Sequence, residues 1–353
     1  MKNWEKNLRE TAPYIPGEQP DFPDMIKLNT NENPYPPAPG VRRALEELQT
    51  ARLALYPDPE AKKLVEELSA QYRIAPEQIF VGVGSDDVLG MIFLTCFASE
   101  KPILFPDITY SFYDVWAKLF RIPYQTIPVD EGFRIRKEDY YRENGGIILA
   151  NPNAPTSIGE ELDFIEDIIK HNPDSVVVVD EAYVDFGGVS AVPLIEKYDN
   201  LLVVQTFSKS RSMAGMRIGF AFGSKRLISA IYGVRNSYNS YTMNYPSIVC
   251  GVAALKERAY FEECTKKVIG TRERVKKELR ELGFSFPDSR TNFLFVTHER
   301  VPAAELFAML REKRIFVRYF KTPRIDNYLR ITIGTDAQME RLLEVLREYL
   351  RPE

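Results

Sequence analysis

Short apolar runs recur along the chain at Pro102 to Phe105, Ile147 to Ala150, Val176 to Val179, Leu201 to Val204 and Ile218 to Phe222, with helix-length segments between most of them. Runs that are apolar at every position, rather than at alternate ones, belong to strands buried on both faces. Their alternation with helices predicts an α/β fold: a largely parallel sheet covered on both sides. Before the first of these runs, Leu64, Val65, Leu68 and Tyr72 share one helical face, and Gln78 to Val83 reads as a strand leading into Gly82-Val83-Gly84-Ser85.

The texture changes after about residue 245. A long charged helix is expected from Tyr260 to Leu282, with Phe261, Cys264, Val268, Val275 and Leu279 on its apolar stripe and Gly283 as its stop. Its dense charges, from Glu257 to Arg280, read as a solvated face. Strand-like stretches follow at Asn292 to Val296 and Tyr328 to Ile333. A last helix carrying Leu342, Leu343, Leu346 and Leu350 opens on Thr335 and Gln338 at capping-box spacing. The N-terminal 40 residues, rich in proline, read as an extended arm. The pattern therefore predicts an arm over 1–27, a large unit over 28–244 and a smaller α+β unit over 245–353.

Composition narrows the function. The 353 residues are 44% hydrophobic, enough for a large core, and the net charge of −4 is spread without a basic field for nucleic acid or an anionic membrane. No apolar run is long enough to cross a bilayer, and the charged start (Lys2, Glu5, Lys6) is unlike a signal peptide, so the cytoplasm is the expected compartment. Cys96, Cys250 and Cys264 are odd in number and far apart, which suits core thiols rather than disulfides or a zinc site. With only His171 and His298, neither a histidine metal site nor a Ser-His-Asp triad has enough material, and no metal is expected.

Ligands of open parallel sheets sit beyond the carboxyl ends of the strands. There this chain places Asp180-Glu181-Ala182-Tyr183 after one run and Gln205-Thr206-Phe207-Ser208-Lys209-Ser210-Arg211 after another, with Arg217 eight residues past Lys209. A third strand exits into Gly82-Val83-Gly84-Ser85-Asp86-Asp87, whose backbone amides before a helix suit a phosphate, and a fourth into Asn151-Pro152-Asn153-Ala154-Pro155-Thr156. Alone, Lys209 would be a solvated lysine, Asp180 a helix cap and the glycines a tight turn. Together they form an amine, buried carboxylates, hydroxyls and a guanidinium at one end of one sheet.

In this order the segments resemble the fold-type I pyridoxal-phosphate aminotransferases, and among them the histidinol-phosphate aminotransferases, over nearly the whole chain. The run from Thr206 through Lys209 to Arg217 is similar to that family's cofactor-lysine motif. Tyr56-Pro57-Asp58-Pro59, Asn31-Glu32-Asn33-Pro34 and Leu329-Arg330 are similarly placed. The resemblance implies that Lys209 carries pyridoxal 5'-phosphate and moves the substrate proton, that Asp180 keeps the pyridine nitrogen protonated, and that Tyr183 donates to the 3' oxygen. It implies Tyr110 stacked on the ring, and the phosphate held by Arg217, Thr206, Ser208 and the amides near Gly84, Ser85 and Asp86. Tyr56 would reach that phosphate from a partner subunit, giving a homodimer with shared sites. Arg330 and Arg318 would hold the carboxylate or phosphate of the substrate, with Tyr14, Asn33 and Asn292 lining that side.

One departure stands out: where the family has an asparagine donating to the 3' oxygen this chain has Ala154, and Ser157 stands at a glycine position. Tyr183 remains as donor, with a shifted Asn153 or a water as the substitute. Two other classes fit less well. A nicotinamide-dependent dehydrogenase needs a third glycine where Asp87 stands, and a cofactor-sensing regulator needs a DNA-binding segment for which no residues remain. Within the fold, an aromatic aminotransferase or a phosphothreonine decarboxylase is the alternative.

Overall fold

Seven strands form the large sheet in the order β2-β8-β7-β6-β5-β3-β4, where β2 is Ile79–Gly82, β3 Ile103–Pro106, β4 Tyr124–Ile127, β5 Gly146–Ala150, β6 Val177–Asp180, β7 Leu201–Thr206 and β8 Gly219–Gly223. The structure is a computed structural model and describes residues 2–351. All neighbours are parallel except those of β8, which runs antiparallel to both β2 and β7. Period-two alternation sends Val177, Val179, Leu201 and Val203 to one face and Val178, Leu202 and Val204 to the other, and all are buried. Each such side chain contributes about 1.5–3 kcal/mol on burial. Helices α2 (Lys62–Tyr72), α5 (Leu162–Lys170) and α7 (Tyr245–Lys256) cover the first face. The second is covered by α3 (Ser85–Cys96), α4 (Phe112–Phe120) and α6 (Lys225–Tyr238).

The smaller unit is a four-stranded antiparallel sheet, β12-β13-β10-β9, made of β9 (Phe284–Ser285), β10 (Phe293–His298), β12 (Arg318–Tyr319) and β13 (Leu329–Thr332). It packs on α8 (Arg258–Glu281), α9 (Ala303–Glu312) and α10 (Asp336–Leu350) through Val268, Leu279, Leu294, Leu306 and Leu342. Gly283 ends α8 with φ of 85°, and the capping box of α10 forms as the sequence predicts, Gln338 N donating to Thr335 Oγ1 and Thr335 N to Gln338 Oε1.

Two boundaries differ from the sequence expectation. Ile248, Cys250, Ala254 and Leu255 of α7 lie in the large core, packed on α2 and on α1 (Pro39–Glu46), so we place the division at Glu257 rather than at 245. At the other end, β1 (Ile26–Lys27) pairs in parallel with β11 (Ile315–Phe316), and Leu28 is buried in the small core, so this stretch is tied to the smaller unit. The charged helix α8 is not wholly solvated either. Arg272 and Lys276 are buried, and Arg272 Nη1 donates to the carbonyls of Phe186 in the large unit and Thr291 in the small one.

Candidate active site

The phosphate-type turn follows from glycine geometry. Gly84 has φ of 85°, and a Cβ there would stand 2.5 Å from an Arg217 guanidinium nitrogen. A Cβ on Gly219 would meet the Gly84 backbone at 2.3 Å, so β2 and β8 approach closely only because both positions lack side chains. Asp87 folds back to accept from Val83 N at 2.9 Å, which fixes the turn and leaves the first amides of α3 at Ser85 and Asp86 for a ligand. Asp86 carries a carboxylate at this place: it accepts from Tyr110 Oη at 2.9 Å and from Arg217 Nη2 at 3.1 Å. Thr206 and Ser208 complete the rim, their hydroxyls 3.0 Å apart.

Lys209 sits on the loop after β7, and several contacts hold that loop. Ser210 Oγ donates to Asp185 at 2.5 Å, and Asn33 Nδ2 donates to the Lys209 and Ser210 carbonyls at 3.1 and 3.2 Å. Asn33, expected on the substrate side, thus ties down the lysine loop, and its Oδ1 is also taken, by Tyr35 N. The Lys209 amine donates to Thr30 O at 3.1 Å and lies 5.8 Å above the Tyr183 ring.

Asp180 ends β6 almost fully buried, where Oδ2 accepts from Tyr113 Oη at 2.8 Å and Oδ1 from Ala182 N at 3.2 Å. Burial pushes its pKa up to about 6, against the lowering effect of those two donors. It has no ion-pair partner among the described residues. Tyr183 accepts at its hydroxyl from Asn31 Nδ2 at 2.9 Å and packs edge-on against Phe293.

On the small-domain side, Arg318 and Arg330 are cross-strand partners of β12 and β13. The Arg330 guanidinium is held by Asn29 O at 2.8 Å and lies over the Phe293 and Phe320 rings, with its buried Nε unpartnered. Burial first, and the charge of Arg318 next, lower its pKa from the usual arginine range. Arg318 reaches the arm, donating to Ile15 O and Pro16 O at 3.3 Å each, which places Tyr14 against Phe112 at 4.4 Å and beside Tyr110 at 6.3 Å. Asn292 donates to Asn31 O and keeps a buried, unpartnered Oδ1.

Most of the residues expected at the site therefore converge. Tyr56, expected to serve a partner's site rather than this one, is 82% exposed and stacks on Tyr241 at 4.7 Å. Of the two substitutes expected for the missing asparagine, a shifted Asn153 or a water, Asn153 has both amide hydrogens spent, on Ile108 O and Thr156 Oγ1. Tyr113, Thr30 and Asn31 are site residues that sequence reasoning passed over. Asn31 lay within the quoted Asn-Glu-Asn-Pro run, whereas Tyr113 carried no signal beyond being aromatic.

Residues 23–346 match the family described as aminotransferase class I and II. The chain belongs to that family. It is 50% identical to the histidinol-phosphate aminotransferase of Lactococcus lactis subsp. cremoris, covering 99% of this chain and 98% of that one. It is 52% identical to histidinol-phosphate aminotransferase 2 of Dechloromonas aromatica, covering 98% of both. Among solved structures, the histidinol-phosphate aminotransferase of Sinorhizobium meliloti in complex with pyridoxal-5'-phosphate superposes with a TM-score of 0.84 at 25% identity, over 92% of this chain and 91% of that one.

This aminotransferase is thus a fold-type I enzyme dependent on pyridoxal phosphate. Its own residues fit the cofactor on three counts. The buried Asp180 lacks a cation, and a protonated pyridine nitrogen is one. The Asp86 carboxylate already shows that an anion is accepted beside Arg217 at the start of α3. The Lys209 amine stands above the Tyr183 ring with only a carbonyl as partner.

Proposed function

We propose that this aminotransferase moves the amino group of histidinol phosphate to 2-oxoglutarate, giving imidazole acetol phosphate and glutamate, a step of histidine biosynthesis. The observation that carries the substrate assignment is the arginine pair of β12 and β13, joined to about half-identity over the full chain with histidinol-phosphate aminotransferases. Arg330 Nε is a buried donor with no protein acceptor, and leaving such a donor unsatisfied costs about 1–3 kcal/mol. A phosphate or carboxylate supplies the acceptor. The planar fork of Arg330 suits either anion, so the two substrates alternate in one place.

Arg217, Thr206, Ser208 and the first amides of α3 would hold the cofactor phosphate, Asp180 its ring nitrogen, Tyr183 its 3' oxygen and Tyr110 its face; Lys209 would bind it covalently. When bound, the cofactor draws electrons from the carbon that loses its proton. The protein does the rest. Asp180 holds a proton at the ring nitrogen, and its burial keeps that interaction unscreened. Lys209 Nζ takes the proton from the amine-bearing carbon of the substrate. Arg330 and Arg318 orient that carbon, and Tyr14, packed on Phe112 beside Tyr110, walls the site from water.

We further propose a cytoplasmic homodimer in which Tyr56 serves the partner's site. Support comes from the exposed aromatic pair Tyr56 and Tyr241, with Leu53, Leu55 and Tyr238 also exposed. No helix among the described residues is long and apolar enough to cross a membrane.

The test is the absorbance of the enzyme loaded with pyridoxal phosphate. Histidinol phosphate should bleach the visible band and 2-oxoglutarate restore it, while Lys209→Ala shows no such band. Bleaching by an aromatic amino acid but not by histidinol phosphate would reject the substrate and leave the family chemistry standing.

A further inference from the structure

Asn31 is 1% exposed, yet every polar group it has is engaged. Its N–H donates to Thr332 Oγ1 at 3.0 Å, its carbonyl accepts from Asn292 Nδ2 at 3.0 Å, and its Oδ1 accepts from Thr332 Oγ1 at 3.0 Å. With Oδ1 on Thr332, the amide nitrogen is turned to the Tyr183 hydroxyl at 2.9 Å. Three of these bonds run to the small unit, at the end of β13 and the start of β10, and the fourth runs to the large one. The residue also has φ of 58°, a left-handed conformation that asparagine tolerates better than most residues.

The direction of the fourth bond matters. A phenol that accepts from an amide cannot point its own hydrogen at that amide, so the Tyr183 proton is aimed elsewhere, and no protein acceptor among the described residues takes it. The Lys209 amine lies above the ring of that phenol at 5.8 Å, and the Arg330 guanidinium lies over Phe293, against which Tyr183 packs edge-on. In the loop after β5 the Ala154 side chain carries no donor, and Asn153 has spent both of its amide hydrogens.

We infer that Asn31 is a positioning residue that sets the hydrogen-bond direction of Tyr183, so that the phenol donates to the cofactor's 3' oxygen, and that it does so from a frame supplied by Thr332 and Asn292 of the small domain. This deepens the assignment of Lys209 and Tyr183 as cofactor residues and rests on it. The placement of the small domain is thereby linked to the charge on the 3' oxygen.

Two substitutions keep the left-handed backbone. Asn31→Gly removes the donor. Asn31→Asp keeps the size but turns the donor into an acceptor, which pulls the Tyr183 hydrogen away from the cofactor. The readout is the midpoint of the pH titration of the visible band of lysine-bound cofactor, measured without substrate. Loss of a donor to the 3' oxygen disfavours its anion, so the midpoint rises. Asn31→Gly should raise it by about half a unit and Asn31→Asp by more than about one unit, and in a Tyr183→Phe background Asn31→Gly should add nothing. A role in folding alone would not produce that order or its dependence on Tyr183. An unmoved midpoint in both variants, or an equal rise with and without the Tyr183 hydroxyl, overturns the inference. Absence of a visible band in the unsubstituted enzyme would instead reject the cofactor assignment beneath it.

Discussion

Asp180 and Glu181 are consecutive, both buried, and both pushed above the usual carboxylate range by that burial, Asp180 to about 6 and Glu181 to about 7. They leave β6 on opposite faces of the sheet, and their surroundings differ. Glu181 accepts from Ser190 Oγ at 2.7 Å, Ala191 N at 2.6 Å and Gln205 Nε2 at 2.8 Å, and Gln205 is itself held by Tyr72 Oη at 2.8 Å. That network is closed, built entirely from protein donors. Asp180 has one donor on each oxygen and the Lys209 loop beyond. A carboxylate can accept about four hydrogen bonds, so Asp180 keeps capacity for a cationic partner while Glu181 has spent most of its own. Burial or a shifted pKa taken alone would rank Glu181 first; the unfilled valence picks out Asp180.

The largest consequence concerns catalysis. Asp180→Asn should lower kcat by about 10²–10³, the range for losing one preorganised electrostatic contact, whereas Glu181→Gln should leave kcat within about threefold. Steady-state kinetics on both variants checks this, and comparable losses would erase the distinction. Stability should respond the other way. Glu181 has a folded pKa of about 7 against an ordinary value near 4.5, so the native state holds the extra proton between those limits. Stability is therefore fully present below about pH 4.5, falls as pH rises through 7, and levels above, a span on the order of 3 kcal/mol. Thermal unfolding from pH 5 to 8 should show this slope relative to Glu181→Gln, which cannot titrate. Ser190→Ala, removing one of the three donors, should cost about 1–3 kcal/mol at pH 8 and leave kcat alone.

The contrast between the two carboxylates also shows what the sequence could reveal. Residues 180 and 181 were legible as strand-end carboxylates because four valines precede them, and the strand ends carrying Gly84, Lys209 and Arg217 were legible for the same reason. Burial on both faces leaves an unmistakable apolar run. Where a strand lies at the edge, that signal is gone: β4 exposes Gln125 and Thr126 and was not anticipated, and neither were the two-residue strands β9, β11 and β12. The antiparallel sense of β8 was equally hidden, because Ile218 to Phe222 reads the same in either direction. What distinguishes Asp180 from Glu181, namely which donors face each, depends on Tyr113 from α4 and Gln205 from β7 as well as on the nearer Ser190. No local pattern encodes contacts across 67 residues.

The smallest expected effect is the sharpest test of the comparison, because it changes one hydrogen bond on Asp180 and nothing else around it. Tyr113 is fully buried, its ring packed with Phe93, Phe105, Tyr110 and Trp116, so Tyr113→Phe keeps the ring and removes only the hydroxyl. Asp180 then retains only the Ala182 amide. Losing a donor to the charged form raises its pKa further, by about one unit, or about 1.4 kcal/mol. Binding of pyridoxal phosphate by the apoenzyme needs this carboxylate charged, so affinity falls as pH drops through the Asp180 pKa, and in the variant that fall should begin at higher pH. Titrating cofactor affinity from pH 5 to 9 separates this from damage to the fold. Damage would weaken binding equally at every pH, whereas loss of the hydroxyl should weaken it most near pH 6 to 7 and least at pH 9. A curve merely displaced downward, with its acid limb in place, would mean that Tyr113 supports the packing of α4 rather than the charge on Asp180.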